Sequence, residues 1–251
     1  MKILNLLWVG IKVSMQTITF KNKKYEVLNL EKYDFSKAKI TFFAAGGKIS
    51  ELYAEKAAKH TTIIDNASFF RMDPDVPLIV PQVNPDSINN LKKNIIANPN
   101  CSTAQLVIVL KPLHDEFEIK RVVLSTYQSV SGGGKAPMDE LIEQTKLSLD
   151  KKEIKSKNFT KQIAFNAIPH IDVFTDDGYT KEELKMVNET KKILDNKIEL
   201  TATCVRVPIL VSHAESVNIE FQKPFSLEKI YSLLDNADGC EVYDKREDGG
   251  Y

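Results

Sequence analysis

The sequence predicts an α/β fold in its first part, joined after about residue 100 to a part of different texture. Three observations carry this. Between Thr17 and Gln105, short β-like runs alternate with helix-like runs, as α/β units do. Two glycines, Gly46 and Gly47, follow directly on an apolar run. From Lys120 the pattern turns to longer β-like runs rich in polar and aromatic residues.

"KITFFAAGG" reads as a strand ending in two glycines, and "ISELYAEKAAKH" as a helix with alanines and charges on its outer face. "TTIIDNASFF" is the next strand. "PLIVPQVNP" follows, bracketed by prolines that stop any helix. This order favours a parallel sheet, whose ligands gather at the carboxyl ends of its strands. Ala44 to Gly47 and Asp65 to Arg71 lie at such ends.

"NPNCSTAQLVIVLKPLHDEF", Asn98 to Phe117, begins with turn chemistry, because Pro99 fixes its own φ and biases Asn98 toward extended geometry. Ser102 or Thr103 can cap the helix that follows, with Cys101 at its first turn. Unpaired N–H groups and the helix dipole there favour a thiolate, which lowers a cysteine pKa and makes Cys101 a candidate nucleophile. Free cysteines also serve as small buried hydrophobes, and local sequence leaves both readings open.

"RVVLSTYQSVSGGGK" is a β-like run breaking into three glycines, and "APMDELIEQTK" is a helix. Residues 148–162 are lysine-rich with little apolar periodicity, which predicts a solvated excursion. "YTKEELKMVNETKKIL" is an amphipathic helix with Thr180 as cap and Glu183 three positions on, the pattern of a capping box. "ELTATCVRVPILVSHAESVNIEF" reads as two strands joined near Pro208 to His213.

The chain of 251 residues is long enough for one large or two modest domains. With 34 basic and 34 acidic side chains, composition gives no electrostatic reason to expect nucleic acid or an anionic membrane as partner. Cys101, Cys204 and Cys240 are an odd number in no metal-ligand spacing, which predicts no metal site and a reducing, cytoplasmic setting. The amino end, "MKILNLLWVGIKVSM", is too short and too interrupted to be a signal peptide or a span, and reads as a buried strand or a damaged start of the domain.

Several segments together resemble the aspartate-semialdehyde dehydrogenase family. "NPNCSTAQ" is similar to its nucleophile motif and "STYQSVSGGGK" to the strand and glycine loop that follow. "FRMDPDVPLIVPQVNP", "FNAIPHIDVF" and "CVRVPILVSHAESV" stand in the family's order, so the resemblance runs from about Thr17 to Tyr251. It implies a Rossmann-like NADP-binding domain over residues 1–100. Residues 101–251 would form an α+β catalytic and dimerisation domain of the glyceraldehyde-3-phosphate dehydrogenase-like type. The implied activity is NADPH-dependent reductive dephosphorylation of aspartyl 4-phosphate to aspartate 4-semialdehyde, on the route to lysine, threonine and methionine, by a homodimer or homotetramer.

By that resemblance Cys101 is the nucleophile, His213 the acid/base, and Gln128 the amide that orients the reacting group. Arg206 takes the substrate α-carboxylate and Glu182 its amino group, with Glu183 an adjacent candidate. Lys185 and Arg71 hold phosphate, and Asn100 lines the substrate site. Ala45, Gly46, Ser131 and Gly132 match cofactor-binding positions. His60, His114 and His170 show no such match and are expected to be structural.

The chain departs from the family pattern at both ends. Residues 1–44 contain one glycine, Gly10, and no glycine-rich loop to receive a pyrophosphate, so NADP is expected to lose its main phosphate site. By the resemblance a further long segment is expected beyond Tyr251, and without an edge unit a strand edge would be unpaired. These features keep open a truncated, non-catalytic relative. A reductase of N-acetylglutamyl phosphate shares the cysteine and histidine logic, while "FRMDPDVPLIVP" and the Glu182/Lys185 pair favour the aspartyl substrate.

Overall fold

The computed structural model describes residues 17–249, so the reading of the first fifteen residues lies outside the described residues. The chain divides into two compact units. One comprises residues up to Ile79 together with Asp86–Pro99, and the other Val80–Pro85 together with the chain from Asn100.

In the first unit, β1 (Thr17–Phe20) and β2 (Lys23–Glu26) form an antiparallel hairpin. Its two turn residues, Lys21 and Asn22, both take positive φ, as a tight hairpin turn requires. The alternating segment then gives β3 (Ile40–Phe43), α1 (Gly47–Ala58), β4 (Thr62–Asp65) and β5 (Ile95–Ala97), with all three strands parallel in the order β3-β4-β5. Among the described residues β3 is an edge strand, and its Ile40 and Phe42 are 55% and 68% exposed.

Two expectations are corrected here. The alanines of α1 face inward: Ala54, Ala57 and Ala58 are buried with Ser50, because small side chains let the helix approach the sheet closely. β4 stops at Asp65 rather than running to Phe70. The buried Asp65 carboxylate accepts Ser50 Oγ at 2.9 Å and the Ala67 N–H at 2.9 Å, turning the chain away from the sheet. The proline-bracketed segment adds only a single parallel bridge, Leu78 to Ala97.

In the second unit, α2 (Cys101–Phe117) leads into β6 (Ile119–Gln128), followed by α3 (Lys135–Leu149), α4 (Lys181–Ile193), β7 (Glu199–Arg206), β8 (His213–Phe221) and α5 (Leu227–Asp235). β6 is central, parallel to β7 and antiparallel to β8. Its inward residues Val122 and Leu124 pack with Leu106 and Leu110 of α2, Met186 of α4, and Ala202 and Cys204 of β7. This core fixes α2 and α4 on one face of the sheet.

The stretch after α3 is less free than its lysines suggest. Buried Glu140 accepts the Lys157 and Asn158 N–H groups at 2.8 and 2.7 Å, and buried Gln144 accepts those of Ile163 and Ala164 at 2.8 and 3.2 Å. The side chains stay solvated while two inward polar groups hold the backbone.

Candidate active site

Pro99 brings the chain to Asn100 in extended geometry, φ −56° and ψ 146°, and Asn100 caps α2. Its Oδ1 accepts the N–H groups of Ser102 at 2.9 Å and Thr103 at 3.4 Å. The cap is therefore Asn100, not Ser102 or Thr103, both of which lie inside the helix with their side chains buried. An asparagine reaches forward to two amides from outside the helix, which a hydroxyl already in the first turn cannot do.

Cys101 is the first helical residue, exposed to solvent, and its Sγ lies 3.2 Å from His213 Nε2. Cys101 and His213 come from α2 and the first position of β8. On its other side the imidazole Nδ1 faces the Ser129 N–H at 3.0 Å and the Ser212 carbonyl at 2.8 Å. One partner suits a lone pair at Nδ1 and the other a proton, so the site offers a partner to either neutral tautomer, and a free lone pair at Nε2 goes with Nδ1–H facing the Ser212 carbonyl. Ser212 takes φ +78° to turn its carbonyl there.

Strand register builds the rest of the site. Gln128, the last residue of β6, pairs with Arg206 on one side and His213 on the other, so three strands each place one polar residue in a single lateral row. Gln128 is 1% exposed; its Oε1 accepts Thr126 Oγ1 at 2.9 Å and its Nε2 donates to Glu182 Oε1 at 3.0 Å. Glu182, 6% exposed, also accepts from Asn100 Nδ2 at 2.9 Å and from Lys185 Nζ at 3.0 Å, and Lys185 reaches Asp172 at 2.9 Å. Arg206 Nη1 donates to the Ser129 carbonyl at 2.6 Å.

Glu183 points elsewhere. Its Oε2 accepts the Thr180 N–H at 2.7 Å while Thr180 Oγ1 accepts the Glu183 N–H at 3.3 Å, the expected capping box, and its Oε1 accepts the Cys204 N–H at 3.1 Å.

The electrostatics correct one expectation. The Cys101 thiol is pushed up, not down: partial burial and the Glu182 carboxylate outweigh the Ser102 and Cys101 N–H groups at the helix start. The exposed edge of Cys101 does not prevent this, because surrounding protein still removes part of the thiolate's hydration. Burial works against the Glu182 carboxylate too, yet Lys185, Gln128 and Asn100 hold it below the usual carboxylate range. Burial presses on Lys185 as well, and Glu182 with Asp172 raises it above the usual lysine range. Cys204, fully buried, is pushed up to about 12 by burial, as suits an inert core thiol.

Ser131 and Gly132 lie in a short 3-10 turn, Val130–Gly133, directly after the Gln128 row. Ser131 Oγ lies 2.9 Å from Ser129 Oγ, and a Cβ at Gly132 would stand 3.7 Å from Arg206 Nη1. The remaining expected positions belong to the first unit. Arg71 is buried and its Nη2 donates to the Asn66 carbonyl at 3.0 Å. Gly46, preceded by Ala45, caps α1 at φ +92° with no side-chain cap, and nothing stands within 4 Å of a Cβ placed there.

Sequence reasoning missed Ser129, Asp172, Glu189 and Ser212. Glu189 lies seven residues after Glu182, two turns along the same helix face, and that spacing was legible. No sequence signal marks Ser212.

Residues 10–91 match the family profile described as semialdehyde dehydrogenase, NAD binding domain, and residues 110–250 match that of the semialdehyde dehydrogenase dimerisation domain. An aspartate-semialdehyde dehydrogenase of Aquifex aeolicus is 49% identical over 251 residues, covering 98% of this chain and 74% of that protein. The crystal structure of aspartate semialdehyde dehydrogenase II from Vibrio cholerae superposes with a TM-score of 0.92 at 45% identity, over 96% of this chain and 73% of that one. The same enzyme complexed with ASA gives 0.92 at 44%, with the same coverage. The chain belongs to the aspartate-semialdehyde dehydrogenase family.

As a member of this family it is an oxidoreductase with an NAD(P)-binding domain, and the α/β architecture expected from sequence holds. Among the described residues no helix is long and apolar enough to cross a membrane.

Proposed function

We propose that the chain catalyses NADPH-dependent reduction of L-aspartyl 4-phosphate to L-aspartate 4-semialdehyde through a thioester on Cys101, acting as a cytoplasmic homodimer. Support for the enzyme reading comes from the family and from the 3.2 Å contact between Cys101 and His213 beside the Gln128 row. The residues up to about 100 would serve the cofactor and the rest the chemistry.

Because the thiol is held up by burial and Glu182, attack needs a base, and His213 Nε2 is in place to take the proton. The proton then makes His213 an imidazolium whose Nδ1–H faces the Ser212 carbonyl. Cys101 Sγ bonds to the acyl carbon, the carbon–oxygen bond to phosphate breaks, and phosphate leaves with both electrons of that bond. A bound NADPH would be the source of the hydride that reduces the thioester carbon. His213 gives its proton to the resulting oxyanion, takes it back as the carbonyl re-forms, and the carbon–sulfur bond breaks to release the aldehyde.

Around this centre the charges suit an amino acid. Arg206 would hold the α-carboxylate with its planar fork, and Glu182, rather than the capping residue Glu183, would face the ammonium. Lys185 and Arg71 would neutralise phosphate, while Gln128 and Asn100 orient the reacting group. Ala45 and Gly46, at the uncapped amino end of α1 in the first unit, and Ser131 and Gly132, in the turn of the second, are the residues that would hold the dinucleotide, each glycine leaving its backbone open to close approach.

The test is fluorescence titration of the purified chain with NADPH beside the assay of phosphate-dependent oxidation of aspartate semialdehyde. Saturable binding with turnover supports the reading. Folded protein with neither binding nor turnover overturns it.

A further inference from the structure

One buried carboxylate touching the nucleophile's turn has no part in the mechanism above. Glu189, on α4, is 1% exposed, and its Oε2 accepts the backbone N–H of Asn100 at 2.6 Å across 89 residues of sequence. In an ordinary capping box the N-cap amide is satisfied by an acidic or amide side chain three residues into its own helix. In α2 that third position is Thr103, whose hydroxyl instead donates to Met186 sulfur at 3.5 Å. The missing half of the box comes from another helix.

The consequence is a fully fixed Asn100. Its N–H goes to Glu189, its Nδ2 to Glu182, its Oδ1 to Ser102 and Thr103, and its carbonyl accepts the Ala104 N–H at 2.9 Å. Glu182, Met186 and Glu189 fall on one face of α4, so a single helix surface sets where the chain enters Cys101. At 2.6 Å the contact from the Asn100 N–H to Glu189 is short for an N–H···O bond, so it fixes the backbone there closely.

We infer that Glu189 is a positioning residue that holds the Asn100–Cys101 turn from α4 and so sets the placement of the Cys101 thiol against His213. It rests on the role proposed for Cys101, and its effect passes through Asn100, not through substrate contact.

The test compares Glu189→Gln and Glu189→Asp with the wild type. The readouts are kcat, KM for aspartate semialdehyde, melting temperature, and the pH profile of Cys101 alkylation by iodoacetamide. Gln keeps the reach and loses the charge, so kcat and alkylation rate should fall roughly two- to fourfold. Asp keeps the charge and loses the reach, so both should fall by roughly tenfold or more with KM within about twofold. A folded Gln variant indistinguishable from wild type in both rates overturns the inference, as does a rise in KM at unchanged kcat. Lower melting temperature alone, or failure of both variants to fold, assigns Glu189 to the fold and overturns it too. A wild-type chain without turnover would refute the proposed reaction, while the alkylation comparison would still decide the role of Glu189.

Discussion

Cys101 Sγ and His213 Nε2 stand 3.2 Å apart although 112 residues separate them, and neither position is set by the other. The cysteine is placed by the cap of α2, the histidine by its register against Gln128 on β6.

This geometry orders the three thiols. Cys101 is exposed, Cys240 half-buried, and Cys204 buried with its thiol pushed up to about 12. Alkylation followed by peptide mass spectrometry should label Cys101 first and Cys204 at least roughly a hundredfold more slowly. With the Cys101 thiol raised, its rate should reach half-maximum above the pH of a free thiol. A midpoint below it would mean the helix start outweighs burial and Glu182.

Glu182→Gln removes the carboxylate that helps to hold the thiol up, so thiolate becomes easier to form. At pH 7.5 alkylation of Cys101 should speed up by roughly threefold, while kcat/KM for aspartate semialdehyde should fall by about a hundredfold or more if Glu182 meets the ammonium as proposed. Opposite movement of the two rates is the signature.

Arg206→Lys keeps the charge but not the planar fork. KM for aspartate semialdehyde should rise roughly tenfold to a hundredfold. A kinetic profile equal to the wild type would remove Arg206 from the substrate site.

Glu215, on β8, gives a pH dependence of stability. Burial pushes its carboxyl up to about 7, opposed by a hydrogen bond from Gln105. A carboxyl raised in the folded state contributes nothing while neutral in both states. Its penalty grows as pH climbs from the ordinary glutamate value to about 7, then levels. Glu215→Gln should therefore gain about 1–2 kcal/mol relative to wild type between pH 4.5 and pH 8, a figure reduced for its partial exposure. Urea melts at both pH values measure this, and equal wild-type-to-variant differences would refute it.

Thr180→Ala should cost about 1 kcal/mol by breaking the capping box of α4. Thermal melts read it directly.

Much of the site was legible where a local rule governs. The Asn98–Cys101 turn, the Thr180–Glu183 box and the alternation of β3, α1 and β4 follow from residue types within a few positions of one another. The cap of α2 was misplaced because serine, threonine and asparagine all satisfy the same rule, and only the extended Asn100 backbone selects among them. The inward alanines were misread because small residues suit either face until a close sheet selects one. The rise of the Cys101 thiol depends on Glu182, 81 residues away in sequence, and the helix-start rule contains no such group. The seven-residue spacing from Glu182 puts Glu189 on the same helix face, but its contact with Asn100 and that of Ser212 with His213 are made in the folded chain and no spacing rule supplies them.

The lateral row of Arg206, Gln128 and His213 would make the proposed chemistry a readout of assembly. β7 and β8 pair with β6 and not with each other, so β6 must have recruited both before the three side chains stand together. A one-residue slip of either outer strand would send its polar residue to the opposite face while leaving a sheet of ordinary appearance. During refolding, return of the reactive thiol–imidazole pair should therefore trail the return of β-structure, and the interval between the two would time the final search for register.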